Sequence, residues 1–236
     1  MSQFLKAFAP DRLAEAWEIF LREFPMALWE TVYVTVLSTF FAIVIGLPLG
    51  ILLVTGDEKG IRPLPKPLMK VINVIINFLR SVPFLILIVM VIPLTRAIIG
   101  TSIGSVASIV PLVVAAFPFV ARLVESSLRE LDPNIIEMAQ SMGSSTMQTI
   151  FHVMLPESVP SLVTNFTLAI TTILGYTAMS GAIGGGGLGK IAISIGYSRY
   201  KYAVLYMAVI VLVILVQLFQ SNGTHLAARL DKRMKK

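Results

Sequence analysis

Residues 132–156 read DPNIIEMAQSMGSSTMQTIFHVMLP and form a polar block between long apolar stretches. Asp132 has the side chain of a helix N-cap, and Pro133 suits the first position of a helix. Gly143 can make a turn that strains most other residues, and one of the hydroxyl residues after it can cap a second short helix. The Leu155-Pro156 step predicts the end of that helix. The block is therefore either an ordinary helical hairpin at the membrane surface or a docking surface for another protein.

The composition around this block is that of a membrane protein. Hydrophobic residues make up 56% of the chain and charged residues 14%, against about 25% charged residues in a typical soluble domain. The chain contains four long stretches without a charged residue, and each is long enough for a helix of about 20 residues that crosses a bilayer. These stretches are 31–56, 97–121, 158–189 and 202–228, and a fifth candidate, 71–94, is interrupted by Arg80. The sequence predicts an all-α polytopic membrane protein with five transmembrane helices.

The N-terminal segment mixes apolar and charged residues. Residues 1–25 predict an amphipathic helix that lies at the membrane surface, and a soluble tail is the plainer alternative. A cleaved signal peptide is not expected, because the first apolar stretch does not begin at Met1. The chain is thus divided into an N-terminal segment (1–25), a transmembrane domain (26–225) that includes the polar block (132–157), and a basic tail (226–236).

The cations of the connecting segments predict the orientation in the membrane. Positive charge is denser in the loops that flank the polar block and in the tail than in the other set of loops. Because cytoplasmic loops carry the excess of Lys and Arg, we expect the N-terminus outside, and the C-terminus and the polar block in the cytoplasm. Attraction to anionic lipid headgroups accounts for the net charge of +6. No nucleic-acid partner is expected.

The polar block also carries a family signature. Residues 137–156 fit E-x-A-x3-G-x9-[IV]-x-L-P, and this pattern resembles the loop signature of permease subunits of type I ABC importers. The matching positions are Glu137, Met138, Ala139, Gly143, Val153, Leu155 and Pro156, with Met138 where the family usually has Ala. Other stretches resemble the permeases of bacterial methionine importers, from about residue 27 to residue 225. They are Trp29-Glu30-Thr31, 46–50 (GLPLG), 80–84 (RSVPF), 100–104 (GTSIG), 109–112 (IVPL) and 175–179 (GYTAM).

The resemblance implies an assembly and a function. It implies five transmembrane helices in the type I importer architecture, in the bacterial cytoplasmic (inner) membrane. We expect a symmetric homodimer with the pathway on its twofold axis. Two copies of a separate ATP-binding subunit would hold ATP and magnesium, and an extracytoplasmic methionine-binding protein would deliver D- or L-methionine. The chain itself would be no enzyme and would hold no cofactor or metal, and the six matching residues together with Met138 would couple it to the ATPase.

Candidate pathway or gate positions are Arg80, Pro83, Tyr176, Met179 and Gly181. Buried charge is costly in lipid, so either the Arg80–Pro83 step shapes the pathway, or the span begins late and Arg80 reaches the cytoplasmic interface. The hydroxyl-rich fourth stretch suits both close helix packing and a pathway for a zwitterion. Met179 has a flexible, polarizable side chain that can seal a narrow pore.

Other motifs are weaker. Residues 184–191 read GGGGLGKI and resemble a phosphate-binding loop, but Ile191 stands where a hydroxyl is needed to hold magnesium. Close backbone packing or an outer loop is the favoured interpretation. His152 and His225 lack the spacing of a zinc site, and no catalytic centre is expected.

Two other functions compete with that of a methionine-importer permease. One is an ABC permease for another solute. The other is a secondary transporter or channel, a class that usually shows internal repeats and intramembrane acids.

Overall fold

The computed structural model describes residues 9–231, and every regular element in that range is helical. The α-helices are α1 (Pro10–Thr55), α2 (Lys66–Ser81), α3 (Phe84–Ile99), α4 (Ser105–Arg129), α5 (Pro133–Ser141), α6 (Thr146–Gln148), α7 (Leu155–Ser180), α8 (Gly187–Lys190) and α9 (Tyr202–Leu230). Two π-helical segments, Thr149–Met154 and Ile191–Tyr197, and one 3₁₀ turn, Gly181–Ile183, complete the set. The predicted all-α fold is confirmed. The first eight residues of the N-terminal segment and the last five of the basic tail lie outside the described residues.

Four helical segments of the described residues are long and apolar enough to cross a membrane, namely α1, Thr146–Ile183, α4 and α9. The fifth candidate consists of α2 and α3, which are bent by 114° at the break between them. Val82 is extended (ψ 125°) because the following Pro83 disfavours the helical conformation, and Pro83 then precedes the first turn of α3. Five spans result if the bent pair counts as one, and the interruption expected near Arg80 is the break at Val82-Pro83.

The N-terminal segment is helical from Pro10 onward and joins the first span without a break. Pro25 cannot donate a hydrogen bond to the carbonyl of Leu21, which normally weakens a helix. Phe24 and Ala27 on either side of it are buried in the same hydrophobic cluster, and this packing holds the helix across the proline. The segment is therefore not a separate helix, and α1 measures about 69 Å at 1.5 Å per residue.

The described part of the first of two compact units contains residues 9–39, 83–113 and 170–219. Its core joins α1 to α8, the following π-helical segment and the start of α9, and small residues allow these backbones to approach closely. The fully packed members are Ala16, Phe24, Ala27, Leu188, Ile191, Ala192, Ala203, Val204 and Ala208. An ion pair between Lys201 Nζ and Glu15 Oε1 (2.7 Å) adds a polar tie at one end of this cluster.

The described part of the second compact unit contains residues 40–82, 114–169 and 220–231. In it α1 packs on α4 through two glycines one turn apart, the spacing that lets membrane helices approach closely. A Cβ at Gly46 would lie 2.8 Å from Val120 Cβ, and one at Gly50 would lie 2.5 Å from Val124 Cβ. The second unit therefore depends on the absence of side chains at these positions.

Candidate coupling segment and pathway residues

The first half of the polar block folds as its sequence predicts. Asp132 Oδ1 accepts the backbone N–H of Asn134 (3.0 Å), and Pro133 occupies the first turn of α5. The chain leaves α5 through Gly143, whose φ of +82° is a left-handed conformation that side chains disfavour. A Cβ at Gly143 would meet nothing within 4 Å, so backbone strain rather than crowding restricts the position.

The second half begins as expected and ends differently. Ser145 caps α6 in a reciprocal capping box with Gln148, with bonds of 3.4 and 2.8 Å. The π-helical segment Thr149–Met154 follows, and α7 starts directly at Leu155. The predicted helix end at Leu155-Pro156 is wrong, because the helical backbone continues from the π-helical segment into α7, where the N–H of Leu155 bonds the carbonyl of Ile150.

The block presents a row of apolar side chains to its surroundings. Ala139 is buried, Val153 and Leu155 are half-buried, and Glu137 and Pro156 are exposed. Four large apolar residues are more than half exposed, namely Met138, Met142, Met147 and Phe151. Exposed large apolar side chains close together in the sequence are typical of interaction sites, and methionine adapts its shape to a partner. This docking face, defined by those four residues, suits binding to another protein.

A chain of polar contacts lies next to the block in the second unit. Arg129 binds Asp57 (2.8 Å) and Glu125 (3.0 Å), and Arg122 binds the other oxygen of Glu125 (2.6 Å) and the amide oxygen of Asn73 (2.7 Å). The hydrogen bond from Arg129, with one from the backbone of Glu58, lowers the pKa of Asp57. Sequence reasoning missed this network, because its partners are up to 72 positions apart.

A cavity of about 490 Å³ lies elsewhere in the second unit, between the ends of α4, α7 and α9. Ser161 bridges the polar wall of this cavity: its hydroxyl donates to Glu130 Oε2 (2.7 Å), and its oxygen lies within hydrogen-bonding distance of Ser127 Oγ (3.1 Å). The side-chain amide of Asn165 donates to Ser127 Oγ as well (2.7 Å). These groups satisfy one another, so the cavity wall is a hydrogen-bonded joint between α4 and α7.

The candidate pathway residues of the first unit lie around the end of α7. Tyr176 stacks on Phe84, the first residue of α3, and thus lies beside the start of the helix that Pro83 precedes. Met179 is 41% exposed, whereas Gly181 is buried. In the second unit, Arg80 is exposed in the last turn of α2, which is compatible with both interpretations of that residue.

The glycine-rich stretch 184–189 packs closely against three helices. A Cβ at Gly186 would collide with Ser105 Oγ and Glu30 Oε2, and a Cβ at Gly189 would collide with the carbonyl of Ala178. Of the two interpretations favoured for these glycines, close backbone packing and an outer loop, the contacts support close backbone packing. Sequence reasoning noted Glu30 only within the stretch Trp29-Glu30-Thr31 and gave it no structural role, because it directly precedes the uncharged stretch 31–56, although it lies inside α1.

Comparison with known proteins identifies the class. Residues 42–236 match the family described as the binding-protein-dependent transport system inner membrane component. The chain belongs to this family and is a multi-pass inner-membrane protein.

Named relatives lie within the same class. The chain is 42% identical over 207 residues to the probable D-methionine transport system permease protein MetI of Vibrio cholerae, which covers 88% of this chain and 92% of the relative. It is 47% identical over 154 residues to the D-methionine transport system permease protein MetI of Escherichia coli K12, covering 65% and 70% of the two chains. The resemblance to methionine-importer permeases inferred from the sequence is confirmed.

Solved structures agree with this assignment. An inward-facing conformation of the MetNI methionine ABC transporter superposes with a TM-score of 0.88 at 43% identity, over 91% of this chain and 99% of that chain. An amino acid ABC transporter superposes with a TM-score of 0.67 at 19% identity, over 93% and 96% of the two chains, and shares the fold. The type I importer permease architecture is confirmed.

Proposed function

We propose that this chain is the permease subunit of an ATP-driven methionine importer, and that it forms the pathway for D- or L-methionine by alternating access. The observation that carries the proposal is the 42% identity to a probable D-methionine permease over 88% of the chain. The superposition on a methionine ABC transporter supports it.

The proposed assembly contains two copies of this chain, two ATP-binding subunits and an extracytoplasmic methionine-binding protein. ATP and magnesium bind to the ATP-binding subunits, and this chain hydrolyses nothing. Its N-terminus lies outside and its C-terminus in the cytoplasm, so that residues 132–157 meet the ATPase. The bias of Lys and Arg toward the loops on that side supports this orientation.

Residues 132–157 act as the coupling segment, with Glu137, Met138, Ala139, Gly143, Val153, Leu155 and Pro156 as its defining residues. The exposed docking face supports a protein partner there. Closure of the ATPases on binding ATP moves the two coupling segments, and hydrolysis resets the inward-facing state. Because α7 follows the π-helical segment without a loop, it carries this movement toward Tyr176, Met179 and Gly181, which with Arg80 and Pro83 line the pathway or its gate.

The test is uptake by the complete complex. The chain is purified with its co-assembling ATPase and placed in vesicles that contain ATP, and radiolabelled L- and D-methionine are added with the binding protein. We expect uptake that stops without ATP, and ATP hydrolysis that is stimulated by the methionine-loaded binding protein. Stimulation by another solute instead would refute methionine as cargo, and ATP-independent uptake by the isolated chain would refute the importer assignment.

A further inference from the structure

Two consecutive side chains of α1 hold the beginning of α8. Glu30 Oε2 accepts the backbone N–H of Gly187 (2.7 Å), and Thr31 Oγ1 accepts that of Leu188 (2.9 Å). Thr31 donates its own hydroxyl hydrogen to the carbonyl of Ala27 (2.9 Å), which orients its oxygen toward α8. The first N–H groups of a helix have no acceptor inside that helix. Here two side chains of α1 provide acceptors for two of these N–H groups of α8. We name Glu30 and Thr31 the clamp.

Thr31 and the first residues of α8 are closely packed against each other. Gly187 has a φ of +74°, and a Cβ on it would collide with Thr31 Oγ1. Thr31 is 1% exposed and Leu188 is fully buried. Glu30 is half-buried, and a hydrogen bond to a carboxylate is among the stronger ones in proteins. A buried N–H that loses its acceptor, such as that of Leu188, is costly.

The contacts continue from α8 to the end of α7. A Cβ at Gly181 would collide with the backbone nitrogen of Lys190, and Gly185 donates its N–H to the carbonyl of Ser180 (3.0 Å). The backbones of the two segments thus touch with no side chain between them. The residues that touch α8 lie on both sides of Met179.

We infer that Glu30 and Thr31 are positioning residues of the transport pathway. They hold α8, and α8 in turn holds the end of α7, so that the first half of α1 and the residues from Tyr176 to Gly181 move as one body. The inference rests on the proposed function only for the role of the α7 end as part of the pathway. Without the clamp, the end of α7 separates from α8 and becomes accessible to solvent.

A single-cysteine reporter measures this separation directly, because the natural chain contains no cysteine. Ser180 is 3% exposed, and Ser180→Cys is nearly isosteric. Its rate of labelling by a small maleimide in the purified complex reports on the contact between α7 and α8. Ser38→Cys is the matched reporter for general loosening, because Ser38 is fully buried in α1 and its hydroxyl has no partner there.

Five variants distinguish the effect of losing a hydrogen-bond acceptor from the effects of losing a charge or changing a side-chain shape. Glu30→Ala and Thr31→Val remove an acceptor, Glu30→Gln and Thr31→Ser keep one, and Glu18→Ala removes an exposed carboxylate of the same helix as a control. We expect the two acceptor-removing variants to speed labelling of the Ser180 reporter by on the order of tenfold, since lost bonds of this kind shift an equilibrium by about that factor. The other three variants, and the Ser38 reporter throughout, should stay within about twofold of the unmodified rates.

The outcomes are decisive even if one variant fails to assemble. Should Glu30→Ala not yield a complex, Thr31→Val tests the same contact while it preserves side-chain shape. Unchanged labelling of the Ser180 reporter in an assembled acceptor-removing variant overturns the inference, and so does equal acceleration of both reporters. Failure of the proposed function would appear instead as absent methionine uptake in the unmodified complex, which leaves the labelling rates interpretable.

Discussion

Tyr176 and Phe84 stack face to face, with ring centroids 4.3 Å apart and planes inclined by 12°. Tyr176 lies near the end of α7, and Phe84 is the first residue after the Val82-Pro83 break. The pair joins the hydroxyl-rich helix to the start of α3. The next residue, Thr177, forms a hydrogen bond with Thr35 of α1 between their hydroxyl groups (3.2 Å). Contacts with α3 and with α1 therefore both hold the end of α7.

Replacement of Tyr176 tests whether this stacking serves transport. Tyr176→Phe keeps the ring and should retain uptake, whereas Tyr176→Ala should reduce methionine uptake several-fold while the complex still assembles. An aromatic pair contributes about 0.5–1.5 kcal/mol beyond area burial, which is enough to shift a conformational equilibrium without unfolding a protein. Initial uptake rates per assembled complex provide the measurement, and normal rates for Tyr176→Ala would remove this residue from the pathway.

Gly143 tests the coupling segment through its backbone conformation. Gly143→Val should leave membrane insertion intact and abolish uptake, because a β-branched residue at a φ of +82° is strained and must reshape the turn. Gly143→Asn is the matched control, since asparagine tolerates this conformation, and it should retain most of the uptake. Insertion is read from membrane fractions and coupling from ATP-dependent uptake; equal uptake by both variants would contradict the prediction.

Glu137 tests the charge of the same segment. It is exposed on α5 beside the docking face, so Glu137→Lys should not disturb folding of this chain. Reversal of a charge at a protein interface weakens the correct partner, and we expect ATP-dependent uptake to be lost. Co-purification with the ATPase and uptake are measured together. Normal assembly with normal transport would show that Glu137 takes no part in coupling.

The glycine contact between α1 and α4 makes a prediction about stability. Gly50→Leu should lower the yield of folded protein and its thermal unfolding midpoint, because overpacking of a closely packed site costs about 1–3 kcal/mol. The added atoms would overlap the side chain of Val124 and the carbonyl of Ala121. Gly50→Ala combined with Val124→Ala should recover part of the loss relative to Gly50→Ala alone. Absence of any recovery would mean that Val124 is not the obstructing neighbour.

The ion pair of Asp57 with Arg129 predicts a pH dependence. The pKa of Asp57 is lowered below its ordinary value of 3.8 in the folded chain. The pair therefore stabilises the fold fully above that value, and its contribution is lost as the pH falls through the lower folded pKa. The effect should be small and should weaken with salt, because Asp57 is 43% exposed.

Thermal unfolding of the purified protein measures this dependence. The midpoint of the unmodified protein should fall more between about pH 5 and pH 3 than that of Asp57→Asn. Glu58→Gln is the matched control, because within residues 9–231 the carboxylate of Glu58 forms an ion pair with Lys66 at the exposed surface and not with Arg129. Parallel curves for the unmodified protein and Asp57→Asn would contradict the assignment.

Local signals in the sequence were sufficient for the helices and caps of the polar block. Asp132, Pro133 and Gly143 each act through their own backbone or that of a near neighbour, so their effect can be read from residue type and spacing. The same local reasoning failed at Leu155-Pro156, where the helical backbone continues through a proline that usually ends a helix. At Pro25, burial of the flanking residues keeps α1 continuous, which is a property of the tertiary packing.

The sequence by itself determined that this chain is a helical membrane protein of the importer permease family, because hydrophobic length, charge distribution and the 137–156 signature are properties of short stretches. Only the tertiary structure decided that Glu30 and Thr31 hold α8, that Tyr176 meets Phe84, and that Arg129 reaches Asp57. Glu30 and Gly187 are 157 positions apart. The physical reason is that a hydrogen bond depends on the positions of two atoms within about 3 Å, and those positions are set by how the helices pack.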